Sequence, residues 1–228
     1  MNFFKSNLAY LQNKGPVQDA GISTDELTQL VAAILSGERE SSLEDMVLLS
    51  KGYGLSLDRL IFKDLSYLDT FSFKDIKMLV LDVDGVMTDG GMYYGEGGDE
   101  FKKFHTRDGV AVRRLTKKGF QVGIISSGFN VNLINKRADL LGIQQVYAGE
   151  EPKLEILTQW ISSMDIEMSQ VAFIGDDLND KALMENVGFS ACPANAEEPI
   201  KQTANLVLSK NGGEGCIREF VDNYLAHV

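Results

Sequence analysis

MLVLDVDGVMTDGG, residues 78–91, begins with an apolar run that ends in two closely spaced carboxylates. Residues 78–81 show no alternation of polar and apolar side chains, which is typical of a strand buried on both faces of a parallel sheet. Asp82 and Asp84 follow this run, although like charges in close proximity repel each other. Carboxylates crowded together are usually held by a cation or by a shared chemical task. The stretch therefore predicts a parallel sheet with a functional site at its edge.

From about residue 76 onward, short apolar runs alternate with segments of helical periodicity. This alternation predicts right-handed crossovers and a mostly parallel, Rossmann-like α/β sheet with helices on both faces. The predicted strands are MLVLDV, QVGIIS, QVYAG, QVAFIG, FSACP and ANLVLS, and the predicted helices are DGVAVRRLTKKG, NVNLINKRADLLG, PKLEILTQWISSM, DLNDKALMENVG and EEPIKQTA. GGMYYGEGGDEFKKFH interrupts the alternation with two aromatic arms around GEGG, which predicts a β-hairpin that projects from the sheet at residues 90–104.

The first 65 residues show helical signals and no strand pattern. STDELTQLVAAIL and SSLEDMVLLSKGYG each place serine before acidic residues and a helical run, and SLDRLIFKDL indicates a third, shorter helix. The chain is therefore predicted to have two domains, a small all-α domain at residues 1–70 and an α/β domain at residues 76–228.

Bulk composition narrows the possible functions. A net charge of −11 argues against general binding to nucleic acid or to anionic membranes. No apolar run approaches the roughly 20 residues that cross a bilayer, and the amino terminus lacks the basic and apolar segments of a secretory signal. Cys192 and Cys216 are the two cysteines of a long chain, which predicts buried thiols rather than a disulfide framework. We therefore expect a cytoplasmic protein with no membrane partner.

Polar side chains follow several of the predicted strands. In a parallel sheet the carboxyl ends of the strands meet at one edge, where ligands bind. The residues expected at this edge are Asp82, Asp84, Ser126, Ser127, Lys153, Asp176, Asp177 and Asp180. Any one of the aspartates could serve only as a turn or cap residue, but five of them with a lysine are typical of an oxygen-ligand Mg2+ site that binds together with a phosphate. Aspartate is also a nucleophile for phosphoryl transfer.

Four segments of residues 76–228 resemble the motifs of haloacid-dehalogenase-superfamily phosphatases: DVDGVMT, the serine that ends a strand, the lysine of EPK, and GDDLND. DGVMTDGGMYYGEGGDEFKKFHTRDG and NGGEGCIREFV resemble the capless branch of 3-deoxy-D-manno-octulosonate 8-phosphate and nonulosonate (neuraminate, or sialic acid) 9-phosphate phosphatases. The resemblance implies a Mg2+-dependent enzyme that hydrolyses a 2-keto-3-deoxy sugar acid phosphate through an aspartyl-phosphate. It also implies a place in cell-surface polysaccharide synthesis, such as that of lipopolysaccharide.

The same resemblance implies a role for each matching residue. Asp82 would be the nucleophile, and Asp84 the general acid and then the general base. Ser126 would bind a phosphoryl oxygen, with Ser127 as the alternative, and Lys153 would neutralise charge. The metal ligands would be the Asp82 carboxylate, the Asp84 main-chain carbonyl and Asp176. Thr88, Asp177 and Asp180 would support these groups.

Substrate contacts are implied by FHTRDGVAVRR and NKRADLLG, which resemble segments that contact the sugar acid in this branch. The candidates are His105, Thr106, Arg107, Asp108, Gly109, Arg113 and Arg137. A guanidinium fork matches a sugar carboxylate, although an arginine on a helix face is often only solvated. The octulosonate enzymes have Gly-Arg after the second motif, whereas Ser126 is followed here by Ser127, Gly128 and Phe129. Both sugar acids therefore remain open.

The resemblance to the capless phosphatase branch also implies how the protein assembles. In this branch the hairpin of one subunit covers the active site of a neighbour, which implies a homotetramer and a use for the hairpin's aromatic side chains.

NLAYLQ and the segment from SGERESSLE onward resemble a phage-repressor-type helix-turn-helix domain. Residues 1–75 hold seven Lys or Arg against eleven Asp or Glu, and such a charge disfavours phosphate binding. We therefore favour an assembly role over DNA, while a DNA-binding regulator whose phosphatase-like domain senses a phosphosugar stays open as the alternative function.

Overall fold

The structure is a computed structural model that describes residues 2–16, 21, 23–128 and 130–228 of the 228-residue chain. Phe129, which was one reason for leaving the sugar acid open, lies outside the described residues. The chain divides into two compact units, Met1–Phe71 and Ser72–Val228. In the described part of the chain, no helix is both long enough and apolar enough to cross a membrane.

The first unit is a set of short helices around its own apolar core. The helices are α1 Phe4–Gln12, α2 Thr24–Ser36, α3 Leu43–Gly52, α4 Leu57–Phe62 and α5 Tyr67–Thr70. Ser23 and Ser42 each close a reciprocal capping box with the acidic residue three positions later, so both predicted helix starts are confirmed. The buried core comes from α1 to α4 and includes Leu8, Leu27, Val31, Leu49 and Leu60.

The second unit contains a six-stranded sheet in the order β5-β4-β1-β6-β7-β8, with every neighbouring pair parallel. The strands of this unit are β1 Met78–Leu81, β2 Tyr93–Tyr94, β3 Glu100–Phe101, β4 Gln121–Ser126, β5 Gln145–Ala148, β6 Val171–Ile174, β7 Phe189–Cys192 and β8 Leu206–Val207, of which β2 and β3 form a separate two-stranded sheet. Its helices are α6 Thr106–Lys117, α7 Val131–Leu141, α8 Lys153–Ser162, α9 Lys181–Met184, α10 Glu198–Thr203 and α11 Cys216–Tyr224. The predicted parallel α/β fold is confirmed.

Strand β1 lies at the centre of the sheet, and all four of its residues are buried. Met78 and Val80 pack with residues of α8, α9 and α10 on one face. On the other face α11 packs against α6, and Phe220 of α11 contacts Phe189 of β7. A run without alternation is therefore what a strand covered on both sides requires. Leu81 pairs with Ile124 of β4 and Ile174 of β6, which brings the ends of these three strands to one edge.

Strands β2 and β3 form the predicted antiparallel hairpin. Its turn closes with the Gly95 N–H donating to the Asp99 carbonyl at 2.8 Å. Tyr93, Tyr94 and Phe101 are 47–62% exposed on this hairpin. At its base, Thr88 bridges to Phe104, so the hairpin starts and ends beside the loop that follows β1.

Two helical elements of the second unit differ from expectation, and α1 and α5 of the first unit add to the three helices predicted there. DLNDKALMENVG was predicted as one helix, but the structure has a 3-10 turn at Leu178–Asp180 followed by the short helix α9. The Asp180 carboxylate accepts the N–H groups of Asp176 and Asp177, and this local bonding competes with a regular helical start. Helix α11 was not predicted, although Ile217, Phe220 and Val221 are buried at helical spacing.

Candidate active site

The loop after β1 begins with buried Asp82 and turns sharply at Gly85. Gly85 has a φ of +85°, and a Cβ built on it would lie 2.0 Å from Asp176 Oδ2. Both the backbone conformation and the close approach therefore require glycine. The turn lets the Asp176 carboxylate, which follows β6, reach the residues that follow β1.

Lys153 is the cation at the centre of this edge of the sheet. It begins α8, its residue is 4% exposed, and its Nζ lies 2.8 Å from Asp82 Oδ1 and 2.6 Å from Asp180 Oδ1. Burial lowers the pKa of Lys153, but the charges of Asp82 and Asp180 and the hydrogen bonds to them outweigh this effect and raise it. Lys153 is therefore a charged group that holds carboxylates from two loops.

Both carboxylate oxygens of Asp180 accept hydrogen bonds. Its Oδ1 accepts from Lys153, and its Oδ2 accepts the N–H of Asp176 at 2.8 Å and the N–H of Asp177 at 3.3 Å. These bonds fix the loop after β6 and the lysine together. Asp177 uses its own Oδ1 to accept the N–H of Leu178, so both residues stabilise the loop.

Negative charge is concentrated between Asp82 and Asp176. Burial and the charge of Asp180 raise the pKa of Asp82 to about 7, against the opposing effect of Lys153. Burial, followed by the charges of Asp82 and Asp180, raises the pKa of Asp176 to about 8. Lys153 alone does not neutralise the group, and further positive charge would stabilise it.

The donor atoms of this edge fit a hard divalent cation. Oxygens of Asp82, Asp176 and Asp180 lie within 4.8 Å of one another. Asp176 Oδ1 is buried and has no hydrogen-bond partner, which is costly for a carboxylate unless a cation binds there. Because both oxygens of Asp180 already accept hydrogen bonds from Lys153 or from main-chain N–H groups, Asp82 and Asp176 are the better placed carboxylates for Mg2+.

A cleft of about 490 Å3 opens from this edge towards the hairpin. It is lined by Asp82, Asp84, Gly85, Asp89, Gly90, Met92, Tyr94, Glu100, Lys102, Ser126, Ser127, Gly128, Asp176, Asp177, Asn179 and Asn195. The volume is in the range of small-molecule sites. Lys153 lies behind the cleft wall, in contact with Asp82.

Asp84 and Ser126 face a common space in the cleft. A Cβ built on Gly128 would lie 3.2 Å from both Asp84 Oδ2 and Ser126 Oγ. The other oxygen of Asp84, Oδ1, accepts from Lys102 Nζ at 2.6 Å and lies 3.4 Å from Thr88 Oγ1. Ser127 Oγ instead accepts from Asn179 Nδ2 at 3.1 Å.

Several residues that line the cleft were not singled out from the sequence, notably Lys102, Glu100 and Asn179. Glu100 and Lys102 lie two positions apart on the second hairpin arm, on the opposite side from Phe101. That alternation was a usable signal, because it places Glu100 and Lys102 on the same side of the hairpin arm. Asn179 offered no comparable signal.

The predicted substrate-contact residues lie outside the cleft of their own chain. Thr106, Arg107 and Arg113 are exposed on α6. Asp108 is buried, and its Oδ1 accepts the N–H of Arg218 at 2.7 Å, which caps the start of α11. The structure therefore gives Asp108 a helix-capping contact, and its substrate contact stays a prediction.

The remaining members of that set surround Asp108. His105 Nδ1 is 3.8 Å from Asp108 Oδ2, and the Arg137 guanidinium lies 4.9 Å from the centre of the Phe104 ring. A Cβ on Gly109 would lie 2.6 Å from an Arg137 nitrogen, so glycine makes room for the guanidinium. Within one chain, these residues pack together rather than with Asp82.

Comparison with known proteins identifies the family of the chain. Residues 142–220 match the family of haloacid dehalogenase-like hydrolases. The 3-deoxy-D-manno-octulosonate 8-phosphate phosphatase of Yersinia pestis is 39% identical over 148 residues, which are 65% of this chain and 79% of that protein. The chain belongs to this phosphatase family. It is a haloacid dehalogenase-like phosphatase, a phosphoric monoester hydrolase.

Two solved structures of related phosphatases superpose on this chain. The Yersinia pestis phosphatase structure superposes with a TM-score of 0.65 at 38% identity, covering 68% of this chain and 83% of that one. The Moraxella catarrhalis phosphatase, solved with a magnesium ion, a phosphate ion and a KDO molecule, superposes with a TM-score of 0.65 at 32% identity, covering 68% of this chain and 88% of that one. The predicted phosphatase family is confirmed, and so is Mg2+ as the cofactor of haloacid dehalogenase-like phosphatases. The helix-turn-helix resemblance stays a prediction.

Proposed function

We propose that this phosphatase is Mg2+-dependent and hydrolyses a 2-keto-3-deoxy sugar acid phosphate, with 3-deoxy-D-manno-octulosonate 8-phosphate as the first candidate. The observation that carries the proposal is a cleft of about 490 Å3 that is lined by Asp82 and half-buried Asp176, with Asp82 paired to the buried Lys153 and Lys153 to Asp180. The named activity of the Yersinia pestis relative supports the choice of substrate.

In the first step, an Asp82 carboxylate oxygen attacks phosphorus, and the bond from phosphorus to the sugar oxygen breaks. Asp84 gives its proton to that oxygen as it leaves, so the sugar departs as a neutral alcohol. Lys153, 2.8 Å from Asp82, neutralises charge shared by the nucleophile and the phosphoryl group. The product on the enzyme is an aspartyl-phosphate at Asp82.

In the second step, Asp84 accepts a proton from a water molecule that attacks the aspartyl-phosphate. The bond between phosphorus and the Asp82 oxygen breaks, which restores the carboxylate and releases inorganic phosphate. Ser126 is the phosphoryl-oxygen donor in this scheme, because its side chain shares the space that Asp84 Oδ2 faces. Ser127, held by Asn179, is the alternative.

Metal binding is assigned to Asp82, Asp176 and the main-chain carbonyl of Asp84. When bound there, Mg2+ would neutralise negative charge on the carboxylates and on the phosphoryl group, which phosphoryl transfer requires. Thr88, Asp177 and Asp180 would keep the ligand loops in place, as their hydrogen bonds to these loops indicate.

The nonulosonate 9-phosphates form a second substrate candidate within the same chemistry. Ser127 and Gly128 stand after Ser126, where the octulosonate enzymes are expected to carry Gly-Arg. A phosphate-release assay on both sugar acid phosphates, each with Mg2+ and with EDTA, tests the proposal. Release from either substrate only with Mg2+ supports the enzyme class, and the ratio of the two kcat/KM values selects the sugar.

We also propose a homotetramer in which the hairpin contacts the cleft of its own chain through Lys102 and reaches a neighbouring active site with its exposed side chains. The hairpin exposes Met92, Tyr93, Tyr94 and Phe101 to solvent, and an apolar surface of this kind is typical of an interaction site. His105 and Arg137, which lie outside the cleft of their own chain, would then be available to the substrate of a neighbour.

For the first unit we propose a role in assembly rather than in DNA binding. Two of its cations are paired with carboxylates of the same unit: Lys14 lies 2.9 Å from Asp69, and Arg39 lies 2.7 Å from Asp45. Together with an excess of acidic residues, these pairs leave little positive charge for phosphates. A gel-shift assay with DNA beside a phosphate-release assay separates this role from that of a regulator.

A further inference from the structure

Lys102 lies on a largely exposed hairpin, but its side chain is almost wholly covered. It follows β3, and its side chain is 3% exposed, whereas Tyr94 on the opposite strand is 62% exposed. The Lys102 Nζ lies 2.6 Å from Asp84 Oδ1 and 2.9 Å from Glu100 Oε1. Holding a long lysine side chain in one conformation costs rotamer entropy, so the two carboxylates must compensate for that cost.

The lysine makes the two oxygens of Asp84 inequivalent. An ammonium group only donates hydrogen bonds, so a proton on Asp84 cannot lie between Oδ1 and Lys102. Such a proton belongs on Oδ2, the oxygen that faces the same space as Ser126 Oγ. The contact thus directs the acidic hydrogen into the cleft.

We infer that Lys102 is a positioning residue for Asp84: it holds Oδ1, so that Oδ2 presents its proton to the oxygen of the leaving sugar. The inference rests on the proposed function, in which Asp84 is the general acid. The proton moves from Oδ2 to the sugar oxygen, which keeps the electron pair of the broken bond to phosphorus. Lys102 itself neither gains nor loses a proton. Glu100 holds Lys102 in turn, so the hairpin and the general acid are placed together.

Two substrates with different leaving groups can show whether Lys102 positions the general acid or has another role. A sugar alkoxide is a poor leaving group and needs the proton, whereas p-nitrophenolate departs without one. A residue that acts through Asp84 therefore affects sugar phosphate hydrolysis more than p-nitrophenyl phosphate hydrolysis. A residue that contacts the sugar carboxylate directly changes KM for the sugar phosphate and leaves kcat unchanged.

The experiment compares Lys102→Met, Lys102→Arg and the matched control Lys103→Met in the full chain with Mg2+. Lys103 is adjacent, 63% exposed, and paired with Asp89. For Lys102→Met we expect kcat on 3-deoxy-D-manno-octulosonate 8-phosphate to fall about 10- to 100-fold with KM nearly unchanged. On p-nitrophenyl phosphate we expect a loss below about threefold. Lys102→Arg should recover part of the loss, and Lys103→Met should match wild type on both esters.

A double-mutant cycle with Asp84→Asn completes the test. If Lys102 acts through Asp84, adding Lys102→Met to Asp84→Asn lowers kcat by less than about twofold. Equal losses on both esters, a raised KM with unchanged kcat, or multiplying losses in the cycle would each overturn the inference.

If Lys102→Met does not fold, Glu100→Gln should show a smaller loss with the same ester selectivity. A wild-type enzyme inactive on both esters refutes the proposed function, whereas an active wild type with unselective losses refutes only the role of Lys102.

Discussion

Replacing Asp176 with asparagine should stabilise the metal-free protein at alkaline pH and remove its response to Mg2+. Asp176 is crowded by Asp82 and Asp180, its Oδ1 has no hydrogen-bond partner, and burial with these charges raises its pKa to about 8. In the unfolded chain the same carboxyl has a pKa of about 4. Between these two values the folded state binds a proton that the unfolded state does not, so stability falls as pH rises towards about 8. An asparagine of the same shape carries no such charge.

The expected size of the stabilisation follows from the difference between the folded and unfolded pKa values of Asp176. The difference between the folded and unfolded pKa values of Asp176 corresponds to on the order of 5 kcal/mol, but Asp82 shares the same negative field and the cleft admits water. We therefore expect Asp176→Asn to gain on the order of 1–2 kcal/mol over wild type at about pH 8.5 and little at about pH 5. Mg2+ should raise the unfolding midpoint of the wild type at the higher pH and leave that of the variant unchanged.

Urea unfolding of the EDTA-treated proteins at the two pH values, with and without added Mg2+, measures these quantities. Asp139→Asn, an exposed substitution on α7, is the matched control and should follow the wild type throughout. An equal loss of stability for Asp176→Asn at both pH values would mean that the carboxylate is a structural partner. Stabilisation of the variant by Mg2+ to the wild-type extent would mean that another group binds the metal.

Other substitutions test the remaining parts of the site and the assembly. Lys153→Met should abolish turnover and cost about 3–5 kcal/mol in urea unfolding, because two buried carboxylates lose their cation; a stable, active variant would contradict the central role of the ion pair. Ser126→Ala should lower kcat about 10- to 100-fold and Ser127→Ala much less, and the reverse order in steady-state kinetics would make Ser127 the phosphoryl donor. Deleting residues 1–71 should leave a folded phosphatase, since all residues lining the cleft lie downstream; an inactive, folded product by circular dichroism would show that the first unit contributes to the site. Removing the hairpin tip at residues 94–99 should raise KM and weaken the oligomer together, and a monomer by light scattering with full efficiency would exclude a site shared between chains.

The centre of this site was predictable from the sequence because it depends on strand ends. The runs before Asp82, Ser126 and Gly175 are buried strands, and parallel pairing brings their carboxyl ends together whatever the loops do. The same reasoning predicts both ends of each of the six sheet strands to within two residues. The capping boxes at Ser23 and Ser42 are likewise local, since each needs only four consecutive residues.

Contacts between distant segments were not predictable. Lys102 reaches Asp84 only because the hairpin folds back over the loop after β1. Asp108 caps helix α11 across 110 positions of sequence, so its place in a motif that resembles a substrate segment could not reveal that contact. The family resemblance implied a supporting role for Asp180, but its partners, Lys153 and two main-chain N–H groups, were visible only in the structure.

Phosphate release from 3-deoxy-D-manno-octulosonate 8-phosphate and from a nonulosonate 9-phosphate, by wild type and by Asp82→Asn, tests the central claim most directly. With Mg2+ the wild type should release phosphate from at least one of them, and EDTA should stop the release. Asp82→Asn should retain less than about a hundredth of the wild-type rate, because an amide cannot form the aspartyl-phosphate. Release that persists in EDTA or in Asp82→Asn, or a wild type that releases phosphate from neither substrate, would contradict the account.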